Sequence, residues 1–172
     1  MQVKSFAIWA NAEKEQVPAL VQSTIKWAND NNLEVYLADR LKSIDVGSEV
    51  SYFSSQNPPE VDFLLCFGGD GTLISGVRIF SEPSVPVLGV HLGGLGFLAQ
   101  ITPEVLVDKL ESVKNNEFKI QDRLVLSAKI SGNEDSYYEV NEFVVQNETS
   151  LRVTSLSLFI FFFQAEDGIR DS

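Results

Sequence analysis

The residues of this 172-residue chain with the clearest chemical pattern are Gly68-Gly-Asp-Gly-Thr72, which directly follow an apolar run. Glycines allow a sharp backbone turn and a close approach to a ligand. If a helix begins here, its first N–H groups are donors at the positive end of the helix dipole, which suits a pyrophosphate. The Asp70 carboxylate would repel phosphate, so we interpret it as a proton acceptor for a nearby hydroxyl or as a partner for a metal ion on the phosphates.

A second glycine-rich segment is Gly89-Val-His-Leu-Gly-Gly-Leu-Gly-Phe-Leu98. It also lets the backbone approach a ligand, and Phe97 is suited to packing against a flat base. The sequence has neither GxxxxGK followed by Ser or Thr nor GxGxxG at the first predicted helix, so we predict neither a P-loop nor the usual dinucleotide fingerprint. We interpret His91 and Cys66, the single histidine and the single cysteine, as structural residues.

Alternating strands and helices are predicted to position these segments. Residues 61–67 are almost continuously apolar, which is typical of a strand buried on both faces of a parallel sheet. Other strands are predicted at 3–10, 33–38 and 86–92. Helices are predicted from residue 17, over 73–80, and after Thr102, which caps a helix with Pro103 at its first position. Residues 39–60 are predicted to be mostly loop.

The pattern changes after residue 116. Residues 118–120, 124–130 and 137–146 are predicted as β segments, with turn residues at 131–136. The predicted fold class is therefore α/β: a Rossmann-like α/β domain over 1–116, followed by the start of an all-β domain over 117–158.

Residues 159–172 are interpreted as foreign to the gene. The stretch 164–171 is what CAA GCA GAA GAC GGC ATA CGA GAT would encode, which looks like a sequencing-library adapter, and the preceding phenylalanines look like translated poly-T. Such additions are to be excluded from fold reasoning. On this interpretation the chain is truncated at its carboxyl end.

Charge and composition narrow the classes of function. The chain carries 13 basic and 24 acidic residues, a formal net charge of −11. This excess of negative charge argues against sequence-independent binding to nucleic acid and against binding to an anionic membrane. The single cysteine excludes a disulfide framework, a cysteine-rich zinc site and a CxxC pair, and no set of metal ligands is predicted. Without a signal peptide or a membrane-length apolar run, the expected compartment is the cytoplasm.

Taken together, GGDGT at 68–72, PVLGVHLGGLGFLAQI at 86–101 and VNEFVV at 140–145 resemble the NAD kinase family. The resemblance implies an NAD kinase/diacylglycerol kinase-like fold and phosphorylation of the 2′-hydroxyl of the adenosine ribose of NAD, with ATP and a divalent metal such as Mg²⁺. It also implies a homo-oligomer, either a dimer or a tetramer.

The resemblance further assigns site residues. Asp70 would be the base, and Gly68, Gly69, Gly71 and Thr72 would shape the phosphate loop. The remaining candidates are two residues on the adenine side and two that bind NAD through polar contacts: Phe97, Leu98, Asn141 and Glu142. The chain departs from the family at His91, where asparagine is usual, and it lacks the later Gly-Gly-Pro stretch.

The sequence leaves two other functions open. Lipid kinases of the diacylglycerol or sphingosine type share GGDGT, but they tend to continue with a Pro-x-Gly-Thr-x-Asn-Asp segment, whereas Leu95-Gly-Phe-Leu98 is the NAD kinase form. A catalytically inactive nucleotide-binding fragment is the second alternative, because part of the substrate pocket would be missing from a truncated chain.

Overall fold

A computed structural model describes residues 3–47, 50–80, 85–94, 96, 98–99, 101–123, 126–132 and 136–139. All of them belong to the first of two compact units into which the chain divides, Met1–Glu142. The unit contains a five-stranded parallel sheet and a separate two-stranded antiparallel sheet. The predicted α/β fold class is confirmed.

Five strands form the parallel sheet in the order β3-β2-β1-β4-β5. They are β1 Ser5–Ala10, β2 Glu34–Ala38, β3 Ser51–Phe53, β4 Phe63–Gly68 and β5 Val87–His91. Three helices accompany them: α1 Val17–Asp30, α2 Asp70–Ile79 and α3 Leu106–Lys114. The antiparallel pair consists of β6 Leu126–Lys129 and β7 Ser136–Glu139.

Strand β4 is the centre of the core. All six of its residues are buried, which confirms the strand predicted from the continuous apolar run. It pairs in parallel with β1 on one side and β5 on the other, and Phe63 stacks on Phe6 of β1 with ring centroids 4.8 Å apart. Burial on both faces excludes water from every side chain of β4, so its carboxyl end is a rigid support for the loop that follows.

Helix α2 packs directly on the sheet. A Cβ added to Gly76 would lie 2.9 Å from Cys66 Sγ and 3.1 Å from both Leu64 Cδ2 and Trp9 Cδ1, so only glycine allows this close approach. Burial raises the pKa of the Cys66 thiol, which agrees with its interpretation as a core residue. The helix begins at Asp70, three residues before the predicted start, because the glycine-rich segment itself forms its first turn.

The crossover connections set the position of the site. From the adjacent strands β1 and β4 the chain crosses in opposite directions, through α1 to β2 and through α2 to β5. Since parallel crossovers are right-handed, α1 and α2 lie on opposite faces of the sheet. The carboxyl ends of β1 and β4 are therefore the topological switch point, where ligands of such sheets bind.

Residues 39–60 are mostly loop, as predicted, apart from the 3₁₀ turn Asp39–Leu41 and the edge strand β3, which pairs with β2; the three residues of β3 are too few to show a period. Two local predictions were wrong. Thr102 precedes a 3₁₀ turn, Pro103–Val105, and forms no capping bond to the backbone; it hydrogen-bonds to Glu104 instead. Residues 118–120 form no strand, since they have no pairing partner among the described residues, and Ile120 is 59% exposed.

The predicted strand at 124–130 is confirmed by β6, and the start of the one at 137–146 by β7. The predicted domain limits, 1–116, 117–158 and 159–172, stay predictions. Among the residues that the structure describes, no helix is long and apolar enough to cross a bilayer.

Helices α1 and α3 are joined by a polar network. Trp27 Nε1–H donates to Glu111 Oε1 at 2.7 Å, and Lys114 Nζ lies 2.9 Å from Glu111 Oε2. Lys114 also donates to Asn31 Oδ1 at 2.6 Å. The Lys114 ammonium and the Trp27 N–H both favour the charged carboxylate, so the pKa of Glu111 is lowered.

Glu111→Gln should lower the Tm at pH 7, because it removes the charge that Lys114 and Trp27 bind. A carboxylate whose pKa is lower in the folded state than in the unfolded state stabilises the fold at pH values above its unfolded pKa of about 4.3. This stabilisation is lost as the pH falls through the folded-state pKa. The Tm difference between the two proteins should therefore shrink as the pH is lowered from about 5 to about 3, as followed by circular dichroism. The exposed Glu117→Gln is the control, and an equal effect there would contradict the assignment.

Candidate functional site

Three loops meet at the carboxyl end of β4. The N–H of Asn11, just after β1, donates to the Phe67 carbonyl at 3.0 Å. The N–H of Leu92, just after β5, donates to the Gly68 carbonyl at 3.0 Å. The loops that follow β1 and β5 are thus fixed to the strand from which the GGDGT segment emerges, and they surround it at the switch point.

The GGDGT segment forms the first turn of α2. Gly69 is the N-cap residue, and its carbonyl accepts the N–H groups of Thr72 at 3.0 Å and Leu73 at 3.2 Å. A Cβ at Gly68 would overlap the Thr72 side chain, whereas a Cβ at Gly69 or Gly71 would meet nothing within 4 Å. Gly68 is therefore required by packing. Gly69 and Gly71 instead leave open space beside the first N–H groups of the helix, where an anion can approach.

Asp70 is clasped by the second glycine-rich segment. Its Oδ1 accepts the N–H of Leu98 at 3.1 Å and the N–H of Ala99 at 3.2 Å. A Cβ at Gly96 would lie no more than 2.9 Å from either carboxylate oxygen, so the backbone of this segment lies directly against the carboxylate. Two backbone donors hold Asp70 in one orientation, as a positioned proton acceptor requires.

The structure brings together six of the nine predicted site residues: Gly68, Gly69, Asp70, Gly71, Thr72 and Leu98. Leu98 was assigned to the adenine side. Its side chain is half-buried and its N–H binds Asp70, so it has a role at the carboxylate that the sequence did not reveal. Phe97, Asn141 and Glu142 lie outside the described residues, and their roles stay predictions.

Sequence reasoning missed a hydrogen-bonded chain behind the loop. Trp9 Nε1–H donates to Ser75 Oγ at 2.9 Å, and Ser75 Oγ–H donates to the Thr72 carbonyl at 2.8 Å. The indole of β1 is thereby linked to the first turn of α2. Trp9 is 8% exposed and belongs to the hydrophobic core. Nothing in the sequence spacing could have paired it with Ser75, since the two are far apart in the chain.

The interpretation of His91 as a structural residue is supported by its backbone hydrogen bond but not by its ring. Its N–H donates to the Ile101 carbonyl at 2.9 Å. Both ring nitrogens are buried and have no hydrogen-bond partner within the described part of the chain.

A cleft of about 310 Å³ opens beside the site. It is lined by the loop after β1, residues 13–16, and by Leu92 and Gly93 after β5. Gly93 has φ +143°, a backbone conformation that favours glycine. The cleft lies at the carboxyl ends of β1 and β5.

The parallel sheet, its switch point and the glycine-rich start of α2 define a nucleotide-binding α/β domain of the Rossmann-like class. The family profile of the ATP-NAD kinase N-terminal domain matches residues 6–118. The chain therefore belongs to this family, which confirms the resemblance noted in the sequence.

Curated relatives support the same family. The NAD kinase of Syntrophotalea carbinolica is 34% identical over 162 residues, which are 92% of this chain and 56% of the relative. The NAD kinase of Sulfurimonas denitrificans is 33% identical over 156 residues, which are 90% of this chain and 53% of the relative. The chain thus spans about half the length of the curated relatives that it matches.

A solved structure supports the fold. Yeast NADH kinase, complexed with NADH, superimposes with a TM-score of 0.60 and 19% identity, over 81% of this chain and 46% of the yeast chain. At this identity the similarity shows a common fold.

Gly96→Ala should destabilise the protein by about 1–3 kcal/mol, because the added methyl overlaps the Asp70 carboxylate and displaces it from the N–H groups of Leu98 and Ala99. Gly94→Ala is the matched control two residues earlier, where a Cβ meets nothing within 4 Å; it should change stability by less than about 0.5 kcal/mol. Urea unfolding measures both. Equal effects of the two variants would contradict the close packing of Gly96 against Asp70.

Proposed function

We propose that this chain carries the catalytic loop of an NAD kinase, which transfers a phosphoryl group from ATP to the 2′-hydroxyl of the adenosine ribose of NAD and so forms NADP. The observation that supports it best is the Asp70 carboxylate, held by two backbone N–H groups at the start of a glycine-rich helix. Membership of the ATP-NAD kinase N-terminal domain family agrees with this activity.

Asp70 is proposed as the general base. A ribose hydroxyl is a weak nucleophile and needs an acceptor within hydrogen-bond reach. As the hydroxyl oxygen forms its bond to the γ-phosphorus, its proton passes to the Asp70 carboxylate and the bond from phosphorus to the ADP oxygen breaks. The clasp by Leu98 and Ala99 keeps the carboxylate in place during this exchange.

The start of α2 is proposed to bind phosphate oxygens. The exposed backbone at Gly69 and Gly71 presents N–H donors at the positive end of a helix dipole, and such donors stabilise charge that develops during phosphoryl transfer. Phe97 and Leu98 are proposed to line the adenine side, and Asn141 and Glu142 to bind NAD through polar contacts.

A divalent metal, most simply Mg²⁺, is proposed to arrive on the ATP. In the part of the chain that the structure describes, no group of three or more His, Cys, Asp or Glu side chains could hold a metal ion. Mg²⁺ needs only one or two protein carboxylates when phosphates supply other ligands, and the loop offers the one carboxylate of Asp70. The metal would neutralise phosphate charge during transfer. The homo-oligomer that the sequence resemblance implies and the expected cytoplasmic location complete the proposal.

Asp70→Asn should abolish NADP formation while NAD binding survives. The asparagine amide oxygen can still accept the N–H groups of Leu98 and Ala99, so the clasp remains while the proton acceptor is lost. Coupled assay of NADP formation and isothermal titration with NAD measure the two properties.

Asp62→Asn is the matched control. Asp62 Oδ2 also accepts two backbone N–H groups, those of Lys4 at 2.7 Å and Ser5 at 2.9 Å, but at the opposite end of β1. Asp62→Asn should leave NADP formation unchanged. Near-normal turnover by Asp70→Asn would exclude Asp70 as the base. If the unsubstituted chain binds NAD but forms no NADP, that result would support the inactive-fragment alternative.

Gly71→Ala should weaken ATP binding without lowering the Tm. The added methyl meets no protein atom within 4 Å and intrudes only on the space proposed for phosphate. Alanine is favoured over glycine within a helix by about 1 kcal/mol, so stability should be kept or raised. Isothermal titration with ATP and a thermal melt test both parts; unchanged ATP affinity would place the phosphates away from this turn.

A further inference from the structure

The described site offers phosphate few positive groups. The GGDGT segment supplies backbone donors and a single side-chain charge, the Asp70 carboxylate, and the whole chain carries a net charge of −11. Phosphate recognition is stronger when a cationic side chain adds charge-assisted hydrogen bonds. A basic side chain at the carboxyl edge of the parallel sheet would be placed to meet a polyphosphate.

Three basic residues follow the strands at this edge: Lys14 after β1, and Arg40 and Lys42 after β2. Lys42 is engaged twice, with Asp39 Oδ1 at 2.8 Å and over the Tyr52 ring at 5.5 Å from its centroid. Lys14 lines the same cleft as Glu13 and Glu15, so the two carboxylates offset its positive charge there. Arg40 is exposed, and no carboxylate of the described residues forms an ion pair with it.

Arg40 is held in place by an aromatic ring. Its guanidinium carbon lies 4.7 Å from the centroid of the Trp9 ring, within the range of a cation–π interaction. A guanidinium over a ring keeps its N–H donors in its own plane, where they match phosphate oxygens in pairs.

The ring that holds Arg40 is itself tied to the phosphate loop. Trp9 donates to Ser75, and Ser75 donates to the Thr72 carbonyl in the first turn of α2. The chain Arg40–Trp9–Ser75–Thr72 thus connects the exposed cation to the GGDGT turn through a buried indole. It fixes both ends of one surface relative to each other.

The distance suits a polyphosphate. Strands β2 and β4 are separated by β1 alone, and neighbouring strands lie about 4.8 Å apart, so the ends of β2 and β4 are separated by about 10 Å. An extended arginine side chain on one side and backbone N–H groups on the other can contact successive phosphates of one chain across this span.

We propose that Arg40 is a phosphate-binding residue of this site, which contacts the polyphosphate of a nucleoside triphosphate donor whose other phosphates lie at the start of α2. The inference rests on the proposed function, since it names the group that recognises the donor. Its ligand class is a polyphosphate anion, and the base is not required for this contact.

Isothermal titration of the 172-residue chain with inorganic tripolyphosphate, and then with ATP, tests the proposal. Arg40→Gln should weaken both by about tenfold, the effect of one lost charge-assisted contact, and Arg40→Lys should fall between. Lys42→Gln is the matched control, because it removes one positive charge two residues away from a side chain already engaged by Asp39; it should change affinity by less than about twofold. Thermal melts establish that each variant is folded.

Tripolyphosphate binding that is unchanged in Arg40→Gln, equally reduced in Lys42→Gln, or absent from the unsubstituted chain would overturn the assignment. The outcome is separable from that of the proposed function. If Arg40→Gln is without effect while Asp70→Asn abolishes NADP formation, the Arg40 assignment fails and the kinase stands. If tripolyphosphate binding depends on Arg40 but NAD is neither bound nor phosphorylated, the phosphate contact stands and the NAD kinase proposal fails.

Discussion

The hydrogen bonds from the N–H groups of Leu98 and Ala99 to Asp70 Oδ1 are the contact on which the site depends. They join two glycine-rich segments that leave the sheet from different strands, and they give one carboxylate a defined orientation. The contact exists only because Gly96 has no side chain, since a Cβ there would overlap the carboxylate. Because the carboxylate is already oriented, it can act on a ligand without having to be ordered by that ligand, which is the advantage of a preorganised group.

The core of the domain and the neighbouring loops hold that contact in place. The fully buried β4 ends at Gly68, and the loops on either side are hydrogen-bonded to its last two residues. Gly76 lets α2 lie against Cys66 and Trp9, so the first turn of the helix cannot shift without disturbing the core. Trp9 and Ser75 add a polar tie to the Thr72 carbonyl. Packing and hydrogen bonding therefore hold the same turn.

The proposed binding of an anion by an acidic chain requires that its few favourable interactions be concentrated at one place. Here the helix start supplies oriented backbone dipoles, and the proposed contribution of Arg40 comes from a neighbouring strand through the Trp9 ring. The acidic surface elsewhere is no obstacle at this range, since exposed charges beyond about 10 Å are largely screened at physiological salt. Local geometry, and not net charge, sets what the loop can bind.

The sequence by itself determined the α/β class, the buried strand before GGDGT, the glycine-rich turn that follows this strand, and the family, because these depend on local composition and spacing. Only the tertiary structure decided that Leu98 and Ala99 clasp Asp70, that Gly96 is required for it, and that Trp9 links Arg40 to the loop. Those contacts join residues distant in the chain, and no local pattern encodes them. For the same reason the edge strand β3 was missed and a strand at 118–120 was wrongly predicted: strands exist only where a partner pairs with them.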